Sequence, residues 1–302
     1  MIALKQIEYL LPKNKLLIKK KYRSVSNLFL KEKIGATKLP RFSEKDTVIN
    51  ICTNLIKKKI VIDKFKEKVG ALILCTQNPD FNGLPHNSSV IHYNLGLSEK
   101  VACFDISQGC AGYLYGIVAS QSFLKKGQFG LLLTCDPYSK IISKNDFSTD
   151  ILFGDAASVT VLKKDGAGKK LIDYEFFTYG KDYEAIINRN GLKMDGKKVM
   201  KFCTTIVPSK IKYFLKKNNL TIDTIDQFYF HQGSKYIVDQ ICYHLKIPKS
   251  AKAPVIKNIG NTVSSTLPIL MKKYDYKKRK KILICGFGVG LSVSIGLIVW
   301  IC

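Results

Sequence analysis

The sequence predicts an α/β protein in which helices cover a buried, largely parallel sheet, and three observations support this prediction. Short apolar runs rich in β-branched residues alternate with amphipathic helical patterns along most of the chain, as they do in strand–helix–strand units. The runs look like strands buried on both faces, which favours parallel pairing. The 302 residues are 46% hydrophobic, so the chain is long and apolar enough to form a large core.

Individual strands and helices follow from these patterns. Strands are predicted where a short apolar run is bounded by polar or glycine-containing residues, and helices where apolar residues recur on one face. The predicted strands cover residues 71–76, 101–106, 129–136, 156–164, 227–232, 281–288 and 292–300. The predicted helices cover residues 45–59, 110–126, 205–217, 234–245 and 262–273.

The chain is predicted to consist of two halves, residues 1–165 and 166–302. The polar, glycine-containing stretch KKDGAGKK at residues 163–170 separates them. In each half a strand leads into a loop with a reactive polar residue and then into a helix. That residue is Cys110 in the first half and His231 in the second. Since no long linker lies between the halves, we expect one rigid body.

Charge and composition exclude several classes of function. The net charge is +26, but the lysines are spread along the chain and no nucleic-acid motif occurs, so we expect no nucleic-acid partner. The lysines either keep helix faces hydrated or attract an acidic partner. The apolar segments at the two ends are too short or interrupted for a signal peptide or a membrane-spanning helix, so no membrane association is expected.

The nine cysteines predict free thiols in a reducing compartment. Their number is odd, no C-x-x-C occurs, and most lie inside apolar runs. This pattern argues against disulfides and against a metal site. We therefore expect a cytoplasmic protein without a bound metal.

The segment DISQGCAGYLYG, residues 105–116, places Cys110 between a predicted strand and a predicted helix. Free N–H groups and the dipole at a helix N-terminus favour a thiolate. Gly109 and Gly112 allow a tight turn and the close approach of a substrate. This is the arrangement of a nucleophile elbow with cysteine in place of serine. The other interpretation is that Cys110 is one more buried thiol.

Three further segments contain polar residues or glycines at strand ends. His231 follows the run QFYF, and Asn261 lies in NIGNTVSS, where Gly260 indicates a tight turn. Taken alone, they could be a buried core histidine and a turn asparagine. The segment CGFGVGLSVS lies between two predicted strands, which predicts a glycine-rich hairpin with a backbone N–H facing an active site, not a dinucleotide fingerprint. Its glycines are Gly286, Gly288 and Gly290.

Taken together in chain order, these segments resemble the β-ketoacyl-acyl carrier protein synthase III family of the thiolase superfamily. DISQGCAGYLYG is similar to the nucleophile segment of that family, and FYFHQGS to its His-Gln-Ala-Asn segment. IGNTVSSTLPI is similar to its Gly-Asn-Thr segment, and GFGVGLS to its closing glycine loop. ILFGDAASVTVL matches the strand that ends the first half. The resemblance covers nearly the whole chain.

The resemblance implies a fold and an activity. The fold is thiolase-like, five-layered αβαβα with two similar halves, in a homodimer. The activity is a decarboxylative Claisen condensation of an acyl thioester with a malonyl thioester, through an acyl-Cys110 intermediate. His231 and the Asn261 amide would donate to the thioester oxygen during decarboxylation. The backbone N–H groups of Cys110 and Val289 would form the second oxyanion hole. No tightly bound cofactor is implied, since coenzyme A and phosphopantetheine thioesters are substrates.

The substrate-binding positions depart from the pattern of the family. Phe29 falls where the family has the tryptophan that stacks on adenine, and Lys33 and Phe147 fall at arginine positions. Ser234 replaces an asparagine. Tyr236 replaces a basic residue and has Lys235 beside it. Leu84 replaces an aromatic residue that reaches across the dimer. These departures leave room for a primer held on a carrier protein, and for a specialised paralogue that makes a short acyl unit.

The resemblance also implies a role for the positive charge: acyl carrier proteins are acidic, so a basic surface would attract them. Lysines expected near the site entrance are Lys201, Lys210, Lys212 and Lys235. Two alternatives stay open. One is a thiolase-fold acyltransferase that passes the cysteine-bound acyl group to an alcohol or amine. The other is a non-catalytic binding protein, against which an intact Cys/His/Asn set argues.

Overall fold

The computed structural model describes residues 1–143, 146–275 and 281–301. Residues 277–281 form a run of four lysines and one arginine, of which only Lys281 is described, and Cys302 lies outside the described residues. The strands are β1 Ile2–Leu10, β2 Lys15–Leu17, β3 Lys38–Pro40, β4 Val69–Cys75, β5 Ala102–Ile106, β6 Phe129–Cys135, β7 Ala157–Lys164, β8 Gly168–Thr178, β9 Ile186–Asn188, β10 Leu192–Met194, β11 Gln227–Phe230, β12 Lys281–Gly288 and β13 Ser292–Ile301. The helices are α1 Ile18–Lys21, α2 Asn27–Phe29, α3 Val48–Lys59, α4 Asn87–Asn94, α5 Gly112–Phe123, α6 Phe147–Asp150, α7 Gly196–Lys201, α8 Val207–Lys217, α9 Lys235–Leu245 and α10 Thr266–Lys273.

Every predicted strand and helix is found, with bounds shifted by a few residues. The predictions missed β1 and β8, whose lysines and acidic residues interrupt the apolar pattern. They also missed the short strands β2, β3, β9 and β10 and the short helices α1, α2, α4, α6 and α7. The helix predicted at 205–217 is preceded by a π-helical turn, Phe202–Ile206.

The main sheet is mixed, so the prediction of a largely parallel sheet is wrong. Among the described residues its order is β11-β12-β13-β8-β1-β7-β6-β4-β5. Only the β4–β5, β4–β6 and β11–β12 pairs are parallel. The other five pairs are antiparallel. The β12–β13 pair illustrates the cause: the connection Val289–Leu291 is far too short for a parallel crossover.

The two halves of the chain repeat one topology, as the fold prediction requires. The order β4-β6-β7-β1 has the same strand directions as β11-β12-β13-β8. β5 lies parallel beside β4, and a parallel bridge from Phe228 to Lys252 takes the same place beside β11. The division near residue 165 stays a prediction.

The repeat shows that Cys110 and His231 are not equivalent positions in the two halves, contrary to the expectation from the sequence. In the first half Cys110 belongs to a 3₁₀ turn, Gly109–Ala111, that precedes α5. In the second half the matching 3₁₀ turn is Val263–Ser265, before α10. His231 instead follows β11, and its counterpart is the end of β4. Cys110 and His231 therefore hold different places in the repeat.

Helices and sheets form five layers, which confirms the αβαβα architecture. α5 and α10 lie in the centre, packed against strands of both halves. α3 and α4 cover the outer face of the first half, and α8 and α9 that of the second. Along β4, Ala71 and Ile73 face the central layer while Leu72 and Leu74 face α3, as the alternation of side chains on a strand requires. The strand ends that carry the candidate site meet beside the central layer.

Two observations bear on the environment of the protein. Within the described ranges no helix has the length and apolar character needed to cross a membrane. The eight described cysteines are all free thiols.

Candidate active site

Cys110 lies at the junction of the two halves, where glycines of β12 allow the backbones to approach. Gly109, at φ +51, turns the chain into the 3₁₀ turn that holds Cys110. A Cβ on Gly286 would lie 2.6 Å from the carbonyl oxygen of Cys110. A Cβ on Gly288 would lie 3.0 Å from the sulfur. These two positions therefore require glycine for steric reasons, whereas Gly290, at φ +130, supports the turn between β12 and β13.

The surroundings of the Cys110 thiol favour its protonated form. Burial raises its pKa well above the ordinary value, and the negative charge of Asp136 raises it further. The backbone N–H groups of Cys110 and Val289 act in the opposite direction. Only the Cys110 N–H belongs to the turn before α5, so the stabilisation of a thiolate expected from the helix N-terminus is small beside the effect of burial.

His231 is a buried, neutral imidazole at the end of β11. Its backbone N–H donates to the carbonyl of Cys285 over 2.8 Å. Burial lowers its pKa to about 3, against a smaller opposing effect from the backbone of Val263. The ring packs edge-on against Phe287, and Nδ1 is buried without a hydrogen-bond partner among the described residues. A neutral imidazole can donate from one ring nitrogen only.

Asn261 is held from both its backbone and its side chain. Its N–H donates to the Leu152 carbonyl over 2.8 Å, and its carbonyl accepts from Gly154 over 2.9 Å. The side-chain Oδ1 accepts from the N–H of Val263 over 2.9 Å. Nδ2 is consequently the end of the amide that is left to donate to a ligand. Gly260, at φ +72, is required because a Cβ there would lie 2.6 Å from the Leu152 carbonyl oxygen.

A single cavity of about 370 Å³ brings these groups together. It contains Cys110, His231 and Asn261, and it also contacts Gly288 and Val289. Several lining residues were not recognised from the sequence, because apolar side chains in a pocket cannot be told from core residues by pattern alone. They are Tyr138, Phe153, Ile186, Met194, Val199, Met200, Cys203, Ile237 and Phe287.

The outer end of the cavity contains some of the predicted binding positions. Phe29, Lys33, Ser234 and Tyr236 line it, and Phe29 is 39% exposed. The Lys33 ammonium lies 3.7 Å from the centre of the Tyr236 ring. The Ser234 hydroxyl accepts from the N–H of Ile237 and so begins α9. These four residues are called the cavity mouth below.

Three predicted binding residues do not line the cavity. Leu84 is 86% exposed in the loop before α4. Phe147 packs edge-on against Tyr22, with ring centres 4.9 Å apart. Lys235 forms ion pairs with Glu32 at 3.0 Å and Asp239 at 2.8 Å. As a consequence, the Lys235 ammonium is already neutralised within the protein.

Comparisons with known proteins agree with this geometry. Family models described as 3-oxoacyl-[acyl-carrier-protein] synthase III and its C-terminal part match residues 104–180 and 215–300. A β-ketoacyl-[acyl-carrier-protein] synthase III of Prochlorococcus marinus is 28% identical over 285 residues, which cover 85% of this chain and 83% of the relative. A protein of Campylobacter jejuni, provisionally named 3-oxoacyl-[acyl-carrier-protein] synthase 3, is 30% identical, covering 79% of this chain and 74% of its own.

Solved structures give the same result. A crystal structure of a 3-oxoacyl-(acyl-carrier-protein) synthase III superimposes with a TM-score of 0.89, at 25% identity and 99% coverage of both chains. The corresponding protein of Aquifex aeolicus also has a TM-score of 0.89, at 22% identity, and covers 99% of this chain and 100% of its own. The thiolase-like fold predicted from the sequence is thus confirmed.

Proposed function

Because the chain belongs to the 3-oxoacyl-[acyl-carrier-protein] synthase III family, we propose that it condenses an acyl thioester primer with a malonyl thioester on acyl carrier protein. The reaction releases carbon dioxide and gives a 3-oxoacyl thioester. The observation that carries the proposal is the shared cavity of Cys110, His231 and Asn261. Its remaining lining is largely apolar, as an acyl chain requires.

In the first half-reaction the Cys110 sulfur attacks the carbonyl carbon of the primer. The developing oxyanion accepts hydrogen bonds from the N–H groups of Cys110 and Val289, the same groups that lower the pKa of the thiol. The thioester bond of the primer breaks, and the proton of Cys110 leaves with the departing thiol. The acyl group stays on Cys110.

In the second half-reaction the malonyl thioester loses carbon dioxide, and negative charge develops on its thioester oxygen. A neutral donor pair, His231 Nε2–H and Asn261 Nδ2–H, would stabilise that charge. The low pKa of His231 supports this role, because the ring is neutral at physiological pH. The carbanion then attacks the acyl-Cys110 carbonyl, and the thiolate leaves as the new carbon–carbon bond forms. The thiolate takes up one proton from solvent, which restores the Cys110 thiol.

The cavity mouth and the other predicted binding residues indicate how the primer is carried. Lys33 already interacts with the Tyr236 ring, and Lys235 is paired with two carboxylates. Phe147 is occupied by Tyr22. Apart from the exposed ring of Phe29, these positions offer little free cationic or stacking surface for the nucleotide part of coenzyme A. We therefore expect primers on phosphopantetheine of a carrier protein to be used at least as well as coenzyme A thioesters.

The protein partner would be acidic, in keeping with the net charge of +26. Lys201 and Lys212 are exposed, whereas Lys210 lies 4.9 Å from the Phe177 ring. Lys201 and Lys212 are thus better placed than Lys235 to meet a carrier protein. The free thiols support the proposal of a reducing, cytoplasmic location.

A homodimer is also part of the proposal. β5 is an edge strand whose partner among the described residues is β4, and an open edge can pair with a second copy. Leu84 and Phe81 are exposed in the loop before α4, where a partner subunit would cover them. Light scattering coupled to gel filtration tests the dimer: a monomer at micromolar concentration contradicts it.

One assay tests the proposed reaction. The protein is incubated with malonyl-carrier protein and a set of acyl thioesters on coenzyme A or carrier, and carbon dioxide release and product mass are followed. The expected result is acyl-Cys110 followed by a 3-oxoacyl product. Acyl-Cys110 without that product would instead indicate an acyltransferase acting on an alcohol or amine. Absence of acylation with every primer would indicate a binding protein.

A further inference from the structure

The proposed reaction leaves one fully buried carboxylate beside the thiol without a role. Asp136 follows β6 and is 0% exposed. Its Oδ1 accepts the backbone N–H of Gln77 over 2.6 Å. Its Oδ2 accepts the N–H of Ser264 over 3.3 Å and also the Ser264 hydroxyl. Asp136 therefore joins a loop of the first half to a 3₁₀ turn of the second half.

One arm of this network supports the nucleophile. Gln77 follows β4, and its Oε1 accepts a hydrogen bond of 2.5 Å from the Tyr138 hydroxyl. The same Oε1 lies against Gly109, so closely that a Cβ at Gly109 would collide with it. Since Gly109 precedes Cys110, the Gln77 side chain forms the wall behind the turn that carries the thiol. Asp136 holds the backbone of Gln77 in place by accepting its N–H.

The other arm supports the proposed donor of the second half. Ser264 directly follows Val263, whose N–H holds Oδ1 of Asn261. Val263 is fully buried and has φ +52, a conformation that is unfavourable for a β-branched residue. Two hydrogen bonds from Ser264 to Asp136 hold the residue after this strained one. The orientation of the Asn261 amide thus depends on Asp136 through Ser264.

The charge of Asp136 also acts on Cys110. After burial, Asp136 is the largest cause of the raised pKa of the thiol. Burial raises the pKa of Asp136 itself to about 6, so the carboxylate is ionised at neutral pH. The other titratable groups around Asp136 and Cys110 are uncharged there. Burial raises the pKa of Cys75, Tyr138 and Cys203 and lowers that of His231. The pKa of Cys135 is raised by a hydrogen bond with Cys52 and by burial.

We propose that Asp136 is a positioning residue of this site with two effects. Its carboxylate ties the wall behind Cys110 to the turn that orients Asn261, and its negative charge adds to burial in disfavouring a thiolate at Cys110 in the free protein. The effect on condensation rests on the proposed function. The effect on the thiol does not, because it concerns a property of the free protein.

The charge is tested by the pH dependence of alkylation at Cys110. Iodoacetamide labelling of wild type and Asp136→Asn is followed by peptide mass spectrometry, which separates Cys110 from the other cysteines. In Asp136→Asn the alkylation rate should exceed that of wild type by about tenfold above pH 7, since a neighbouring like charge is removed. The ratio of the two rates should approach one below pH 5, where wild-type Asp136, whose pKa is about 6, is itself protonated. A looser fold would raise the rate by the same factor at every pH.

Asp155 provides the matched control. It is also 0% exposed and accepts the N–H groups of Phe42 and Ser139 and the Ser139 hydroxyl. The Asp155→Asn variant loses a buried carboxylate of the same kind whose donors lie outside both arms, and its alkylation rates should match those of wild type. A ratio to wild type that does not change with pH in Asp136→Asn, or the same pH-dependent ratio in Asp155→Asn, would overturn the electrostatic effect.

Ser264→Ala tests positioning separately, because it removes one hydrogen bond and keeps the charge. Decarboxylation of malonyl-carrier protein should fall roughly tenfold, while acylation of Cys110 stays within about twofold and the pH dependence of alkylation matches that of wild type. Equal losses in both half-reactions would overturn the positioning effect. If wild type carries out neither half-reaction, the proposed function fails, and the alkylation curves still decide whether Asp136 controls the thiol.

Discussion

The backbone N–H of Val263 donates to Oδ1 of Asn261 over 2.9 Å, and this contact decides which end of the amide can face a substrate. Because Oδ1 is occupied, Nδ2 is left as the donor. Val263 has φ +52, which costs roughly 1–3 kcal/mol for such a residue. Surrounding contacts must therefore maintain the conformation for the sake of the site.

Replacing Asn261 should impair decarboxylation selectively. Asn261→Ala is expected to slow carbon dioxide release from malonyl-carrier protein by about 10²–10³-fold, the usual effect of losing one oxyanion donor. Acylation of Cys110, which uses other donors, should change little. Asn261→Asp is the matched variant, since it keeps the acceptor for Val263 but has no Nδ2–H. Near-wild-type decarboxylation in that variant would contradict the donor role.

Replacing Cys110 and His231 should separate the half-reactions. Cys110→Ser is expected to lower acylation by at least about 10³-fold, because a serine hydroxyl without a base is a poor nucleophile. His231→Ala should spare acylation more than decarboxylation. Single-turnover mass measurements with a labelled primer distinguish the two steps. Equal loss of both steps in His231→Ala would refute the separate roles.

Glycine is expected to be essential at position 288 for the thiol and not for the fold alone. In Gly288→Ala the new methyl group would lie 3.0 Å from the Cys110 sulfur, so acylation should fall tenfold or more, on the order of 1.4 kcal/mol. Gly166→Ala is the control, because φ there is also positive, at +96, while a Cβ meets nothing within 4 Å. Comparable acylation rates in these two variants would show that the predicted contact is unimportant.

His231 should make the protein less stable in acid. Its pKa is lowered to about 3 by burial, whereas the unfolded chain binds a proton near pH 6.5. Between these values the unfolded state binds more protons, so the free energy of unfolding falls as the pH falls. At pH 5 the contribution is about 2 kcal/mol. Denaturant titrations of wild type and His231→Asn measure it.

The comparison with His231→Asn is needed because Asp136 acts with the opposite sign. Its pKa is raised to about 6, so below that pH the folded state binds more protons than the unfolded state. This contribution increases stability as the pH falls from 6 towards 4. Subtracting the two curves cancels the contribution of Asp136. A difference between variants that does not change with pH would contradict a neutral, buried His231.

The sequence was sufficient for the reactive residues and insufficient for their surroundings. Cys110, His231 and Asn261 stand in short motifs at strand ends, where a polar residue is conspicuous beside apolar runs. β1 and β8 were missed because their lysines and acidic residues interrupt the apolar pattern. The apolar lining of the cavity could not be identified, since Phe153 and Cys203 look like any core residue. Such residues can be assigned to the cavity only from the folded structure.

The direction in which the pKa of Cys110 is shifted could not be predicted from the sequence either. The helix N-terminus indicated a thiolate, but burial and the charge of Asp136 outweigh it. Asp136 lies 26 positions from Cys110 along the chain, and only the sheet brings them together. The ion pairs of Lys235 were equally beyond the sequence. Lys235 was expected at the site entrance, but its ammonium group is paired with Glu32 and Asp239.

The placement of the site across both halves has a consequence for refolding. Cys110 comes from the first half, whereas His231, Asn261 and Val289 come from the second. A chain with one half native and the other still disordered would possess either a thiol or its donors, never both. Recovery of activity after dilution from denaturant therefore reports the docking of the halves, and it should lag behind the recovery of secondary structure in either one.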